Sequence, residues 1–188
     1  MKRVKFDARD IALSAIMASL YAVINIVQTA MGGPITYGPV QLRIADCLIP
    51  LSALFGWPVI FGVAVGCFSN AYYWLDPADV VIGPIVNFVA SLLIYLLRRR
   101  RAFACIVGGV AVGLPIGMYL YYLYLMGNPA MLQAPDFGFS LPAYAAFVVS
   151  LVISSLIVVA GVGYALLRAL SAARVTESMK SRGLKVLA

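Results

Sequence analysis

Arg43 and Asp46 stand three residues apart in the run Gln41-Leu42-Arg43-Ile44-Ala45-Asp46, at the head of an otherwise apolar stretch. On a helix that spacing brings a guanidinium and a carboxylate to one face. The pair can close on itself as a salt bridge, or it can turn into a pocket and hydrogen-bond a polar, planar solute. A carboxylate such as Asp46 accepts two donors from an amidine-like edge such as that of guanine, while Asn70 and Asn87 can read a carbonyl or a ring nitrogen. Gln41 belongs with them by position. Tyr37 and Trp74 offer rings that stack on a heterocycle, although anchoring at a membrane interface is the commoner use of such rings. Asp79 supplies either a further carboxylate for a cationic ligand or negative charge at the N-terminus of the helix that follows it.

Binding is the chemistry these residues suggest, because no catalytic constellation accompanies them. The chain has no histidine, the commonest general base and metal ligand. It has no glycine loop ending in Lys-Ser/Thr to cradle a nucleotide's phosphates, so it cannot hydrolyse ATP itself. Cys47, Cys67 and Cys105 are odd in number and widely spaced, which argues against a disulfide framework or a thiolate metal site. They read as small buried apolar groups. No cofactor and no metal is expected.

The elements that must position the candidate residues are membrane helices. Of the 188 residues 63% are apolar and 11% charged, against roughly 45–50% and 25% in soluble domains. The net charge of +7 comes from short basic clusters at the ends of apolar stretches, a pattern of membrane topology rather than of nucleic-acid binding. Apolar stretches fall at about 10–29, 42–55, 57–75, 80–97, 102–126 and 141–170, within a single transmembrane domain covering 1–188. Only helices can carry such runs through a bilayer, because each helix satisfies its own backbone polar groups. The basic start Met1-Lys2-Arg3-Val4-Lys5 precedes an apolar run of span length with no convincing cleavage site, so it reads as a retained first helix.

The second stretch is shorter than the ~20 residues of a straight span and on length alone could be re-entrant. Charge argues for crossing. With six crossings the N-terminal basics, the arginine run 98–101 and the C-terminal basics share one side, and Arg43 stands alone on the other. The expectation is therefore an all-α integral membrane protein in the plasma membrane. It has six transmembrane helices, a shortened or tilted second one, and both termini in the cytoplasm. The Gly- and Pro-rich connections at 31–41 and 127–140 then lie outside, where ligand enters.

Small residues mark close helix contacts. Ala15-x-x-x-Ser19 and Ala18-x-x-x-Ala22 make a seam on the first helix that serves an internal neighbour or a separate subunit. Gly62-x-x-x-Gly66 and the strip Gly109, Gly113 and Gly117 read as internal packing.

Taken together, the small-x-x-x-small first helix, the segment Gln41 to Asp46, Leu54-Phe55-Gly56, Gly62-Val63-Ala64-Val65-Gly66-Cys67 and Asp79-Val80-Val81-Ile82-Gly83 resemble the substrate-binding (S) components of energy-coupling factor transporters, and among them the QueT family of queuosine-precursor transporters. The likeness runs from Asp10 to the last helix. It implies an S-component-like bundle of six helices that captures a 7-deazaguanine base with high affinity from outside. It further implies docking through Ala15, Ala18, Ser19 and Ala22 onto a coupling membrane protein driven by two ATPase subunits, with Arg43 and Asp46 at the pocket. Within that reading a cationic aminomethyl base favours an extra carboxylate such as Asp79, and a neutral nitrile does not need one. Two rivals stand beside it: the same architecture tuned to another vitamin, and a non-transporting membrane subunit or assembly factor whose polar residues are paired structurally. An integral membrane enzyme comes third, for want of catalytic groups.

Overall fold

The computed structural model describes residues 7–37, 42–72, 77–127 and 143–187, with side chains except at 32–37, 71–72, 77–79, 122–127 and 143. Among the described residues the secondary structure is helical. Helix α1 (Ala8–Tyr37) is followed by a 3-10 run (Ile44–Leu51) that continues into the short α2 (Ser52–Phe55). Then come α3 (Trp57–Gly66) with a 3-10 extension (Cys67–Tyr72), α4 (Pro77–Leu96) and α5 (Arg101–Gly127). The last long rod is α6 (Ala143–Ser155), a π-helical segment (Leu156–Gly163) and α7 (Tyr164–Leu170), and a final α8 (Ala173–Ser181) turns away from it.

Three helices are long and apolar enough to cross a membrane by length and composition: Ala8–Met31, Arg98–Tyr121 and Tyr144–Leu170. Three apolar helices are shorter: Ile44–Phe55, Trp57–Asn70 and Val80–Leu96. The second is the unusual one. From Ala45 to Phe55 every residue is buried, so this run is the core of the bundle rather than part of its wall. Its eight 3-10 residues rise about 2.0 Å each and its four α residues about 1.5 Å, giving a reach of roughly 22 Å. Tighter winding lets a short sequence cover most of a ~30 Å hydrocarbon core. Gly56, at φ 68°, then reverses the chain into α3 in a conformation other residues rarely adopt.

The sequence reading ended the first helix at 29 and treated 31–41 as a loop, but α1 runs on to Tyr37. Helix continuation keeps each backbone group bonded within the segment, which outweighs the modest cost of Gly32 and Gly33 in apolar surroundings. Sequence reasoning also left 173–181 as a basic tail. There Val175, Thr176 and Met179 turn inward while Arg174, Glu177, Ser178 and Lys180 stay exposed, as an amphipathic helix requires.

Helix α1 lies at the edge of the bundle. Met17, Tyr21, Asn25 and Thr29, four apart in sequence, form its buried row, and Ile11, Ala15, Ser19, Val23, Val27 and Met31 form an exposed one. It meets α3 where glycines remove the side chains in between: a Cβ on Gly62 would lie 2.6 Å from Met17 Cβ, and one on Gly66 2.7 Å from the Ala18 carbonyl oxygen. The second glycine strip does the same for α5 and α6, since Gly109, Gly113 and Gly117 lie against Leu156, Val152 and Val148. Both strips are internal seams.

This packing predicts an asymmetry between two glycines on neighbouring helices. Gly113→Ala would put a methyl 2.6 Å from Val152 Cα, a backbone atom that cannot step aside, whereas nothing lies within 4 Å of a Cβ on Gly161. Gly113→Ala should cost about 1–3 kcal/mol through overpacking. Gly161→Ala should be neutral, and scanning fluorimetry of the detergent-purified variants separates the two. Equal melting temperatures would contradict the seam.

Candidate functional site

The site is built on the first turn of the 3-10 run. Arg43 precedes it in an extended conformation, and the Asp46 amide donates to the Arg43 carbonyl at 3.1 Å. Arg43 and Asp46 both line one cleft beside this turn. Each is 4% exposed.

Two sets of side chains hold this turn in place. Gln28, one turn above the buried Asn25 and two above Tyr21, brackets Arg43: its Oε1 accepts the Ile44 amide at 2.8 Å and its Nε2 donates to the Leu42 carbonyl. The two peptide groups flanking the arginine are thereby tied to α1. Below, the Tyr21 hydroxyl donates to Asp46 Oδ1 at 2.6 Å and accepts from Asn87 Nδ2 at 2.9 Å. Ser91 donates to the Asn87 carbonyl at 2.5 Å, and Ser52 donates to the Ser91 carbonyl at 2.9 Å. α1, the 3-10 run and α4 are thus joined by one polar ladder through an apolar core.

On its other side the Arg43–Asp46 pair lines a cleft. Val112 and Ile116 of α5 and Leu151 and Val158 from the last rod give it apolar walls, and Ser154 and Ser155 add hydroxyls opposite the charged pair. The empty space is ≈ 260 Å³, counting the part open to solvent. Its enclosed core takes about one water, so a ligand the size of a base enters only if the walls part. Chemically the cleft offers an acceptor at Asp46, a cationic donor at Arg43 and serines at Ser154 and Ser155.

Of the residues singled out from sequence, Arg43 and Asp46 come together in the cleft. Asn87 stands one hydrogen bond behind, bonded to Tyr21 rather than lining the wall. Asn70 belongs to a separate buried cluster, where it accepts from Asn25 at 2.9 Å and donates to Cys67 Sγ at 3.5 Å. Gly83 makes room for that cluster, since a Cβ there would sit 3.1 Å from Asn70 Nδ2. Gln41 and Trp74 lie outside the described residues, as do the side chains of Tyr37 and Asp79. The first-helix seam divides: Ala15 and Ser19 are exposed, Ala22 is half-buried, and Ala18 faces Gly62 and Gly66 of α3. Cys47, Cys67 and Cys105 are buried. Among the described residues no group of three or more potential metal ligands occurs.

Sequence reasoning missed Tyr21, Gln28, Ser154 and Ser155. A signal existed for the first two: Tyr21, Asn25, Gln28 and Thr29 recur at helical spacing on the buried face of an apolar helix. The serines carried none, because their role depends on which helix lies opposite.

The family model described as the QueT transporter matches residues 11–172. No curated protein and no solved structure matches the chain.

The ladder makes a sharp prediction about Tyr21. Tyr21→Phe removes one oxygen but leaves Asp46 and Asn87, both buried, each short of a partner. The expected loss is about 2–4 kcal/mol, read as a lower melting temperature, because an unsatisfied buried group pays its desolvation penalty in full. Adding Asn87→Leu to Tyr21→Phe should cost less than the two single changes together, and strict additivity would contradict a shared network.

Proposed function

The chain belongs to the QueT transporter family, and from that premise we propose that it is the high-affinity substrate-capture subunit for uptake of a queuosine precursor, a 7-deazaguanine base, in an energy-coupling factor type of transporter. The observation that carries the reading is the Arg43–Asp46 pair, buried at the wall of a cleft whose other surfaces are apolar or hydroxylic. Tyr21 occupies Asp46 Oδ1. The Asp46 carboxylate accepts from the ring N–H and exocyclic amino group of a guanine-like edge, and the Arg43 guanidinium meets an acceptor on the same ring. Val112, Ile116, Leu151 and Val158 cover the faces of the base.

The orientation follows from charge. Arg9 donates to the Gly183 carbonyl at 3.1 Å, Lys185 pairs with Asp10 at 2.6 Å, and the Leu187 amide donates to the Leu54 carbonyl at 2.8 Å. These contacts gather both ends of the chain and the far end of α2 at one end of the bundle, a 3-10-plus-α length away from Arg43. Six crossings with that basic end in the cytoplasm put the Arg43 end outside, facing the substrate. With no nucleotide-binding loop of its own, the subunit draws on two separate ATPases through a coupling membrane protein. Ala15 and Ser19, on the exposed row of α1, are the small residues available to such a partner.

One observation favours a second reading, a non-transporting subunit: Asn70, Asn87 and Asp46 all bond within the protein. A ligand panel separates the two, because a compound that binds the folded state raises its stability. The melting temperature of the detergent-purified chain should rise with 7-cyano- or 7-aminomethyl-7-deazaguanine and not with guanine, riboflavin, thiamine or biotin. Asp46→Asn and Arg43→Ala should each weaken that response by about 10- to 100-fold in ligand concentration, the worth of a charged hydrogen bond. Stabilisation by another vitamin replaces the cargo, and no response from folded protein supports the second reading.

A further inference from the structure

Ser154 is 4% exposed and lines the cleft across from Arg43 and Asp46. Several buried hydroxyls in these helices are bonded: Ser91 to the Asn87 carbonyl at 2.5 Å, Thr29 to the Asn25 carbonyl at 2.7 Å, and Ser52 to the Ser91 carbonyl at 2.9 Å. Ser150 makes no such bond among the described residues, but it lies off the cleft wall. The usual resting place for a helical serine is the carbonyl four residues back. Ser154 has Ser150 there and does not use it, and among the described residues its hydroxyl makes no hydrogen bond. A hydroxyl on a cleft wall with no partner in the protein has its donor and acceptor capacity open to what the cleft receives.

The backbone beside it also departs from α geometry. Ser155 is the last residue before the π-helical segment Leu156–Gly163, and such segments concentrate at functional sites. At the far end of the segment a Cβ on Gly163 would lie 2.7 Å from Pro50 Cγ and 3.0 Å from the Cys47 carbonyl oxygen. The wide helix is therefore pressed directly onto the 3-10 run that carries Asp46, and Ser154 lies just before the wide segment begins.

We propose that Ser154 is a ligand-contacting residue, whose hydroxyl bonds a polar ring atom or exocyclic group on the edge of a planar heteroaromatic base opposite the edge read by Asp46 and Arg43. The assignment rests on the capture reading above and deepens it: the ligand presents hydrogen-bonding groups on two opposite edges and apolar faces between them.

The test is calorimetric titration of 7-cyano-7-deazaguanine into the full-length wild-type chain and its Ser154→Ala and Ser150→Ala variants, with the melting temperature of each ligand-free protein. Ser154→Ala should weaken binding about five- to tenfold, as the loss of one neutral hydrogen bond does. Its ligand-free melting temperature should be unchanged or raised, because removing a hydroxyl with no partner in the protein costs the fold no hydrogen bond. Ser150→Ala, one turn away and off the cleft wall, should bind like the wild type. Wild-type affinity in Ser154→Ala overturns the assignment. So does a lower ligand-free melting temperature, which would mark the hydroxyl as structural, for example as the seat of a bound water. A wild-type protein that binds no deazaguanine removes the underlying reading, and the proposal with it.

Discussion

The cost of holding Arg43 and Asp46 inside an apolar bundle governs the rest of this structure. Each charge taken from water into such an interior costs several kcal/mol unless hydrogen bonds and a partner of opposite sign replace the solvent. The chain answers with side chains from two other helices. Tyr21 donates to Asp46 and accepts from Asn87 behind it, and Gln28 ties down the peptide groups on both sides of Arg43. A turn fixed from both directions loses little further freedom when a ligand binds, which is what preorganised recognition requires.

That arrangement works because backbone geometry changes where the cleft is. The 3-10 winding of Ile44–Leu51 stretches a short run through the core, while π winding in Leu156–Gly163 widens the opposing rod. Both keep their backbone bonds within the segment, the condition for irregular helix in a membrane. Glycine then sets the spacing between rods. Gly62 and Gly66 let α1 approach α3, and Gly113 lets α5 approach α6, so the polar ladder and the cleft stand on surfaces held at contact distance. With Ala18 turned towards that inner seam, the outward row through Ala15 and Ser19 is left to face lipid or a partner.

Much of this was legible in the amino-acid sequence, for physical reasons. Composition alone demanded a membrane protein, and the glycine strips are packing seams because four-residue spacing puts all their gaps on one face. The i, i+3 spacing of Arg43 and Asp46 suggested one helical face; both do line the cleft, although Arg43 is extended and precedes the helical run. What could not be read was everything that depends on the identity of a neighbour. Asn70 and Asn87 have equal claims in sequence, but α4 turns Asn87 towards Tyr21, and Asn25 engages Asn70 in a separate cluster. Ser154 is an ordinary helical serine until the 3-10 run is laid opposite it. The α8 helix was hidden by its charge, since hydropathy does not register three inward residues in nine.

The most direct test of substrate capture at this cleft is an experimental structure of the chain with 7-cyano-7-deazaguanine bound. The base should lie between the Arg43–Asp46 turn and Ser154, with its amidine-like edge on Asp46 and its faces against Ile116 and Leu151. A base seated elsewhere, for instance beside Asn25 and Asn70, or a cleft that stays shut while ligand binds, would contradict the account.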